Sequence, residues 1–396
     1  MSDECKDQAV EADYSIDPTD VQIVVNLPFC KRACRHCDKT MTYAPGDDLM
    51  KAYVRALLRE IVSLAPDMAD HRVSCVHITG GMPLMLPQGE LKDILTSIKQ
   101  SFALCENAEI LLDTHPGLLK KDRLADCVEA GINRISLSLV STNYKEFRQI
   151  NPPFDVGDFQ SSAWLMRTEG FRAFEIRIPV GLPFQTKESL RSTVFEATGM
   201  GPVGVAYIPF VLRTGTPLGD AYQAGEHLGM PGPQTREALF EEATNILWRD
   251  GYRATSLVSY AFPGHQSINE LHHVAAGQVL GLGAGATTCC DGYEYTNTSD
   301  IDLYIAHANE PEQICQNIYE LAEKPAARRA ALCALDGPDG VILSDFETRF
   351  GMPLRDALPQ TDALIEAGLL EQKDNRLVKT ARGVVDIPTF EQIMAN

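Results

Sequence analysis

An alternation limits what this chain can fold into. Short β-branched runs at 22–27, 72–79, 109–114, 134–139, 174–180 and 203–210 are separated by amphipathic helical patterns at 49–64, 88–102, 120–130, 159–169 and 187–198. Strand and helix taking turns in this way predict parallel strands, in an open sheet or a partial barrel. In such folds the loops at the C-terminal ends of the strands converge on one mouth, where chemistry is placed.

Directly after the first run stands Cys30-Lys-Arg-Ala-Cys34-Arg-His-Cys37, three thiols in eight residues. Thiols this dense, in a chain whose first residues show no basic and apolar leader pattern, suggest metal before disulfide. Zinc usually takes two Cys pairs or Cys with His at set spacings, and no second pair follows. An iron–sulfur cluster normally takes four thiolates. Three leave one iron open, so the spacing favours a [4Fe–4S] site over zinc and suggests chemistry rather than scaffolding. The remaining strand ends add Thr79-Gly80-Gly81-Met82-Pro83, Asp113-Thr114-His115-Pro116 and Gly181-Leu182-Pro183. Glycine pairs let backbone approach a ligand, though they also make plain turns. A strand-end Asp can bind an amine or ribose hydroxyls, though it more often caps a helix.

Composition narrows the class. A formal charge of −19 over 396 residues argues against nucleic-acid or anionic-membrane partners. No apolar stretch reaches membrane-spanning length. Eleven cysteines, several in apolar contexts (Cys75, Cys105, Cys333), predict buried thiols in a reducing cytoplasm. The adjacent Cys289 and Cys290 read either as core and turn residues or as neighbours of a bound group.

The Cys-x3-Cys-x2-Cys motif followed by Gly-Gly-x-Pro resembles the radical S-adenosylmethionine (SAM) superfamily. Leu27-Pro-Phe-Cys30, Gly131-Ile-Asn-Arg-Ile-Ser-Leu137, Gly181-Leu-Pro-x-Gln-Thr186, Tyr260-Ala-Phe-Pro-Gly-His265 and Gly281-Leu-Gly-Ala-Gly-Ala286 are similar to the oxygen-independent coproporphyrinogen oxidase and heme chaperone family. The likeness runs from about residue 20 to the C-terminus. It implies a partial (β/α)6 TIM-like barrel with a C-terminal helical, winged-helix-like module. It also implies a [4Fe–4S] cluster on Cys30, Cys34 and Cys37, SAM, heme as a further candidate ligand, and an electron donor such as flavodoxin or ferredoxin. By the same resemblance Gly80, Gly81 and Met82 line the methionine portion of the cofactor. Asp113 stands where the family has Glu, His36 flanks the adenine, and Thr287 falls at an adenosine contact. No catalytic residue is singled out.

Departures accompany the likeness. Usual polar positions read Val140, Pro152 and Arg177, the last a reversal of charge for which Glu175 offers a compensation. Lys39 stands where the decarboxylating enzymes carry a fourth Cys, as in the chaperone-like branch. That branch's His-Asn-x-x-Tyr-Trp signature reads Asn269-Glu-Leu-His-His273-Val, leaving His272 or His273 as candidate tetrapyrrole ligands.

The expected organisation is a loose arm over 1–19, the barrel core over 20–215, an extension over 216–325 with helices at 235–249 and 302–321, and the C-terminal module over 326–396. A winged helix suggests nucleic acid, but acidic residues outnumber basic ones across 342–396. The expected protein is cytoplasmic and acts on or carries a tetrapyrrole, as a coproporphyrinogen dehydrogenase-like enzyme or a heme chaperone. The alternatives are a radical SAM methyl transfer or cyclopropanation enzyme on another substrate, and a non-catalytic heme-trafficking protein.

Overall fold

The computed structural model describes residues 16, 17 and 19–395, so most of the expected N-terminal arm lies outside the described residues. Strands β1 (Val21–Leu27), β2 (Arg72–Gly80), β3 (Ala103–Thr114), β4 (Arg134–Ser138), β5 (Phe174–Val180) and β6 (Gly204–Pro209) pair in chain order, each parallel to the next. Their side chains are buried on both faces over long stretches, as parallel strands covered by helices require. Helices α1 (Asp47–Leu64), α2 (Glu90–Ser101), α3 (Lys121–Ala130), α4 (Tyr144–Ile150), α5 (Val156–Thr168) and α6 (Lys187–Gly199) lie between them. α1 turns Met50, Tyr53, Val54, Leu57 and Ile61 inward at helical spacing. Gly131, at φ 93°, closes α3 in the left-handed conformation.

The sheet continues past both ends of this core. After α7 (Pro217–Gln223) and α8 (Pro233–Arg249), β7 (Arg253–Ala254) and β8 (Ser259–Ala261) extend it antiparallel beside β6. After α9 (Ile268–Val274), β9 (Gln278–Leu282) adds a further parallel strand beside β1. β10 (Thr287–Cys290), β11 (Tyr293–Asn297) and β12 (Cys315–Glu320) follow antiparallel, giving one twelve-stranded sheet. The helix expected over 302–321 gives way to a shorter one: a helix covers only Ile301–His307, one helical turn follows at Pro311–Ile314, and Cys315–Glu320 is β12. Pro311 lacks the amide that would continue the helix, and Ile318-Tyr319 suits an edge strand.

Near the C-terminus, helices and a small three-stranded sheet enclose a second core that includes Leu335, Phe346, Leu358, Leu364, Leu370 and Leu377. No helix among the described residues is long and apolar enough to cross a membrane. This module docks through ion pairs: Arg213 reaches Glu391 at 2.6 Å, and His273 of α9 reaches Asp336 at 2.8 Å beside Lys379. The bond from Asp336 raises the pKa of His273 above its usual 6.5. A raised folded-state pKa gives stability that is full below pH 6.5 and is lost as pH rises through the folded value. Thermal melts of wild type and His273→Ala should therefore differ most below pH 6.5 and converge only once the pH has passed the raised folded value. The half-exposed pair keeps the difference under about 1 kcal/mol.

Candidate functional site

The strand ends of the parallel core open into one cavity of about 340 Å³. Cys30, Cys34, His36 and Cys37 enter it from the loop after β1, and Thr79, Gly80 and Gly81 from the end of β2. Asp113 comes from β3 and His115 from just beyond it, residues 138–140 from the end of β4 and the loop after it, Arg177 from β5, and Phe210 from just past β6. The three cysteines are half-buried free thiols.

The loop that carries them is fixed from several sides. Residues 29–30 pair with 42–43, and the Cys30 carbonyl accepts from the Ala44 amide at 2.7 Å, closing the loop at its base. Arg32 donates to the carbonyls of Asn151 and Pro152, and the Arg35 amide donates to Ile150. The Arg35 carbonyl in turn accepts from Leu218 at the start of α7. Burial, then the neighbouring thiols, push the pKa of Cys30 up to about 11 and that of Cys34 up to about 12, while Lys39 and Arg32 respectively act against the rise. Unliganded, these thiols keep their protons at neutral pH, so a metal must displace them. Among the described residues, the His/Cys/Asp/Glu group whose ligand atoms gather within 4.8 Å of one another is His71, Cys290 and Asp291.

Gly80 and Gly81 sit against this loop because nothing larger fits. The amide of Gly81 donates to Leu27 at 2.9 Å and that of Met82 to Phe29 at 2.7 Å. Gly80 adopts φ 113°, and a Cβ on Gly81 would lie 2.3 Å from the Phe29 carbonyl oxygen and 2.8 Å from Cys30 Sγ. Met82, expected to line the site, does so only through this backbone contact; its side chain is buried in the core and does not line the cavity.

Asp113 anchors the opposite wall. Its Oδ2 lies 2.7 Å from Thr79 Oγ1, 2.9 Å from Arg177 Nη1 and 3.1 Å from His77 Nε2. Asp113 pairs in register with Ser136, and Arg177 with Ser138, so two small residues of β4 let acid and guanidinium meet across the intervening strand. Burial alone would raise the Asp113 pKa, but Arg177 and His77 hold it well below the usual carboxylate range. Burial lowers His115 to about 4, leaving the imidazole neutral. Four polar atoms of the lining residues are buried without a partner: His36 Nδ1, Asp113 Oδ1, His115 Nδ1 and Arg177 Nε. Orphaned groups of this kind cost free energy unless a ligand meets them.

The substituted positions Val140, Pro152 and Arg177 do line the cavity. Glu175 makes its direct ion pair with Arg134, at 3.0 Å from Nε and nearer the start of β5, and favours the charge on Arg177 only from a distance. Thr287 lies outside the cavity lining, at the start of β10, its hydroxyl 3.1 Å from that of Thr296. His272 and His273 lie away from the mouth, His272 Nε2 being 2.6 Å from Ser74 near the start of β2. Both are tied up in protein contacts. Sequence reasoning passed over His115 and Arg32. His115 was signalled by alternation with Asp113, two residues earlier on the same face.

Residues 25–197 match the family model of the radical SAM superfamily, and 326–385 match that of the HemN C-terminal domain. The chain carries a radical SAM domain followed by a HemN C-terminal domain. Its relatives include the heme chaperone HemW of Lactococcus lactis, 24% identical over 90% of this chain and 93% of that protein. They also include the oxygen-independent coproporphyrinogen III oxidase of Escherichia coli, 23% identical over 92% of this chain and 82% of that protein. The solved coproporphyrinogen III oxidase HemN from Escherichia coli, a radical SAM enzyme, superposes with a TM-score of 0.78 at 22% identity, covering 99% of this chain and 94% of that one. The two share a fold. A radical SAM domain implies a [4Fe–4S] cluster and SAM. The cavity's residues fit both: spaced thiols at an open mouth, a backbone cradle at Gly80 and Gly81, and orphaned polar atoms opposite.

Gly81→Ala should lower stability by roughly 1–3 kcal/mol, because backbone and not a flexible side chain blocks the methyl. It should also lower the iron retained on anaerobic reconstitution. Gly199→Ala, whose methyl meets nothing within 4 Å, is the control. Urea denaturation and iron analysis of the two variants check this.

Proposed function

We propose that Cys30, Cys34 and Cys37 hold three irons of a [4Fe–4S] cluster, that SAM occupies the open position, and that the cavity acts on or carries a tetrapyrrole. The observation that carries this reading is the convergence of three half-buried thiols, a glycine cradle and four unpartnered polar atoms on one strand-end cavity. When bound, cluster and cofactor supply one-electron cleavage of a sulfonium, giving a carbon radical able to take hydrogen from an unreactive C–H bond.

The chain's own residues bind, orient and exclude water. Asp113 has given Oδ2 to Arg177 and Thr79, so Oδ1 is the oxygen left to accept from an ammonium such as the cofactor's. Gly80 and Gly81 let the methionine portion lie against backbone. His36, 5.9 Å from the Phe210 ring, offers a flat surface beside the adenine. Neutral His115 faces the same space with a free ring nitrogen. Leu139, Val140, Phe154 and Leu182 keep the inner wall apolar, which strengthens every polar contact made there.

The tetrapyrrole assignment rests on the relatives' named activities, oxidation of coproporphyrinogen III and chaperoning of heme. Electron supply by a flavodoxin or ferredoxin and a cytoplasmic location belong to the same proposal. His272 and His273 are not offered as iron ligands for heme, since neither lines the cavity, His272 being buried beside Ser74 and His273 paired with Asp336.

The test is anaerobic reconstitution followed by EPR of the reduced protein with and without SAM. A [4Fe–4S]⁺ signal that shifts on adding the cofactor is expected, as is loss of most iron in Cys37→Ser. A signal indifferent to the cofactor, with no 5′-deoxyadenosine formed, would leave a carrier rather than a catalyst. Full iron content in Cys37→Ser would overturn the ligand assignment.

A further inference from the structure

A second set of ligand-type side chains lies at the other end of the sheet. His71 immediately precedes β2, and Cys290 and Asp291 stand where β10 turns into β11. One ligand atom from each gathers within 4.8 Å of the others, with His71 Nε2 at 3.0 Å from Asp291 Oδ2. Cys290 is buried, and its thiol meets Gln278 Oε1 at 3.2 Å. The same oxygen accepts from the Asp291 amide at 2.9 Å, so a further oxygen lies beside the thiol of the three-residue group.

The local backbone holds them there. Asp291 and Gly292, at φ 51° and 79°, form the two-residue turn of the β10–β11 hairpin. The turn accounts for an Asp-Gly pair, but not for an imidazole from a segment 220 residues away in sequence lying against it. A neighbouring cavity of about 350 Å³, lined in part by Cys290, Asp291 and Glu312, gives an ion a way in.

We propose that His71, Cys290 and Asp291 form a zinc site, with the Gln278 amide oxygen or a water completing four ligands. One nitrogen, one sulfur and one carboxylate oxygen suit a borderline ion that accepts tetrahedral geometry, and a thiolate disfavours calcium or magnesium. Binding removes the proton from Cys290 and releases it to solvent. The ion would tie the β10–β11 hairpin to the start of β2. This site is independent of the iron–sulfur reading, since it shares no residue with the cavity.

Zinc and iron are counted by emission spectrometry on the full chain after anaerobic reconstitution, incubation with zinc and desalting. Wild type should retain about one zinc per chain beside its iron. His71→Gln, or Asp291→Asn as a second variant that keeps the turn, should keep its iron and lose at least tenfold in zinc affinity. Cys30→Ser/Cys34→Ser/Cys37→Ser should still hold about one zinc, which separates this site from stray binding by the cavity thiols. In that triple variant cobalt should give thiolate charge-transfer absorption that Cys290→Ser removes. Zinc that disappears with the three cavity cysteines, or that persists at full affinity in both His71→Gln and Asp291→Asn, overturns the proposal.

Discussion

The parallel pairing of β1 with β2 sets the terms for the rest of the molecule. Its register runs to Leu27 opposite Gly80, so the cysteine loop and the glycine turn leave the sheet side by side. Backbone then meets backbone: the amides of Gly81 and Met82 donate to Leu27 and Phe29. No side chain separates the two segments, and whatever occupies the mouth is gripped between a thiol loop and bare main chain. Behind this junction Tyr53 donates to the Asn26 carbonyl and accepts from Ala284, while Glu60 receives Gly283, Asn297 and Tyr304. The loop after β9 thus braces the end of β1 from outside the cavity.

Charge is distributed along the sheet interior by depth. At the mouth, Asp113 and Arg177 neutralise each other across β4. Nearer the strand starts, Arg134 lies between Glu175 and Glu109, and Glu109 also receives the amides of Ile268 and Asn269 at the start of α9. Removing one partner of such a buried pair leaves an uncompensated charge, which costs far more than the pair contributes. A guanidinium at position 177 and a carboxylate at 113 therefore have to be read together. The polarity of the mouth is that of the pair, with one carboxylate oxygen left over.

Much of this was legible in the sequence, for a physical reason. Buried parallel strands are near-continuous apolar runs, and the helices between them carry a regular apolar stripe, so six strands and five helices could be placed from pattern alone. The three thiols and paired glycines were legible because few other roles demand those residues at that spacing. What pattern could not supply was facing and depth. Arg177 read as a lost acid, whereas the register of β3, β4 and β5 makes it the partner of Asp113. Glu175 on the same face read as a substitute, but it lies one pleat deeper and is spent on Arg134. His272 and His273 stood as candidate ligands because they fall at the altered signature, yet one is buried beside Ser74 and the other pairs with half-buried Asp336. β9 was hidden in a glycine run, and β12 in a stretch that satisfies helix and strand patterns equally.

The fastening of the cysteine loop bears on how the protein is made. Its outer side is held by Asn151 and Pro152 beyond α4 and by Leu218 at the head of α7, none of which has been synthesised when Cys37 leaves the ribosome. The loop cannot take its folded shape until more than half the chain exists. Its thiols therefore spend translation as an open, reactive segment, and the cell must keep them reduced and unclaimed until folding closes around them.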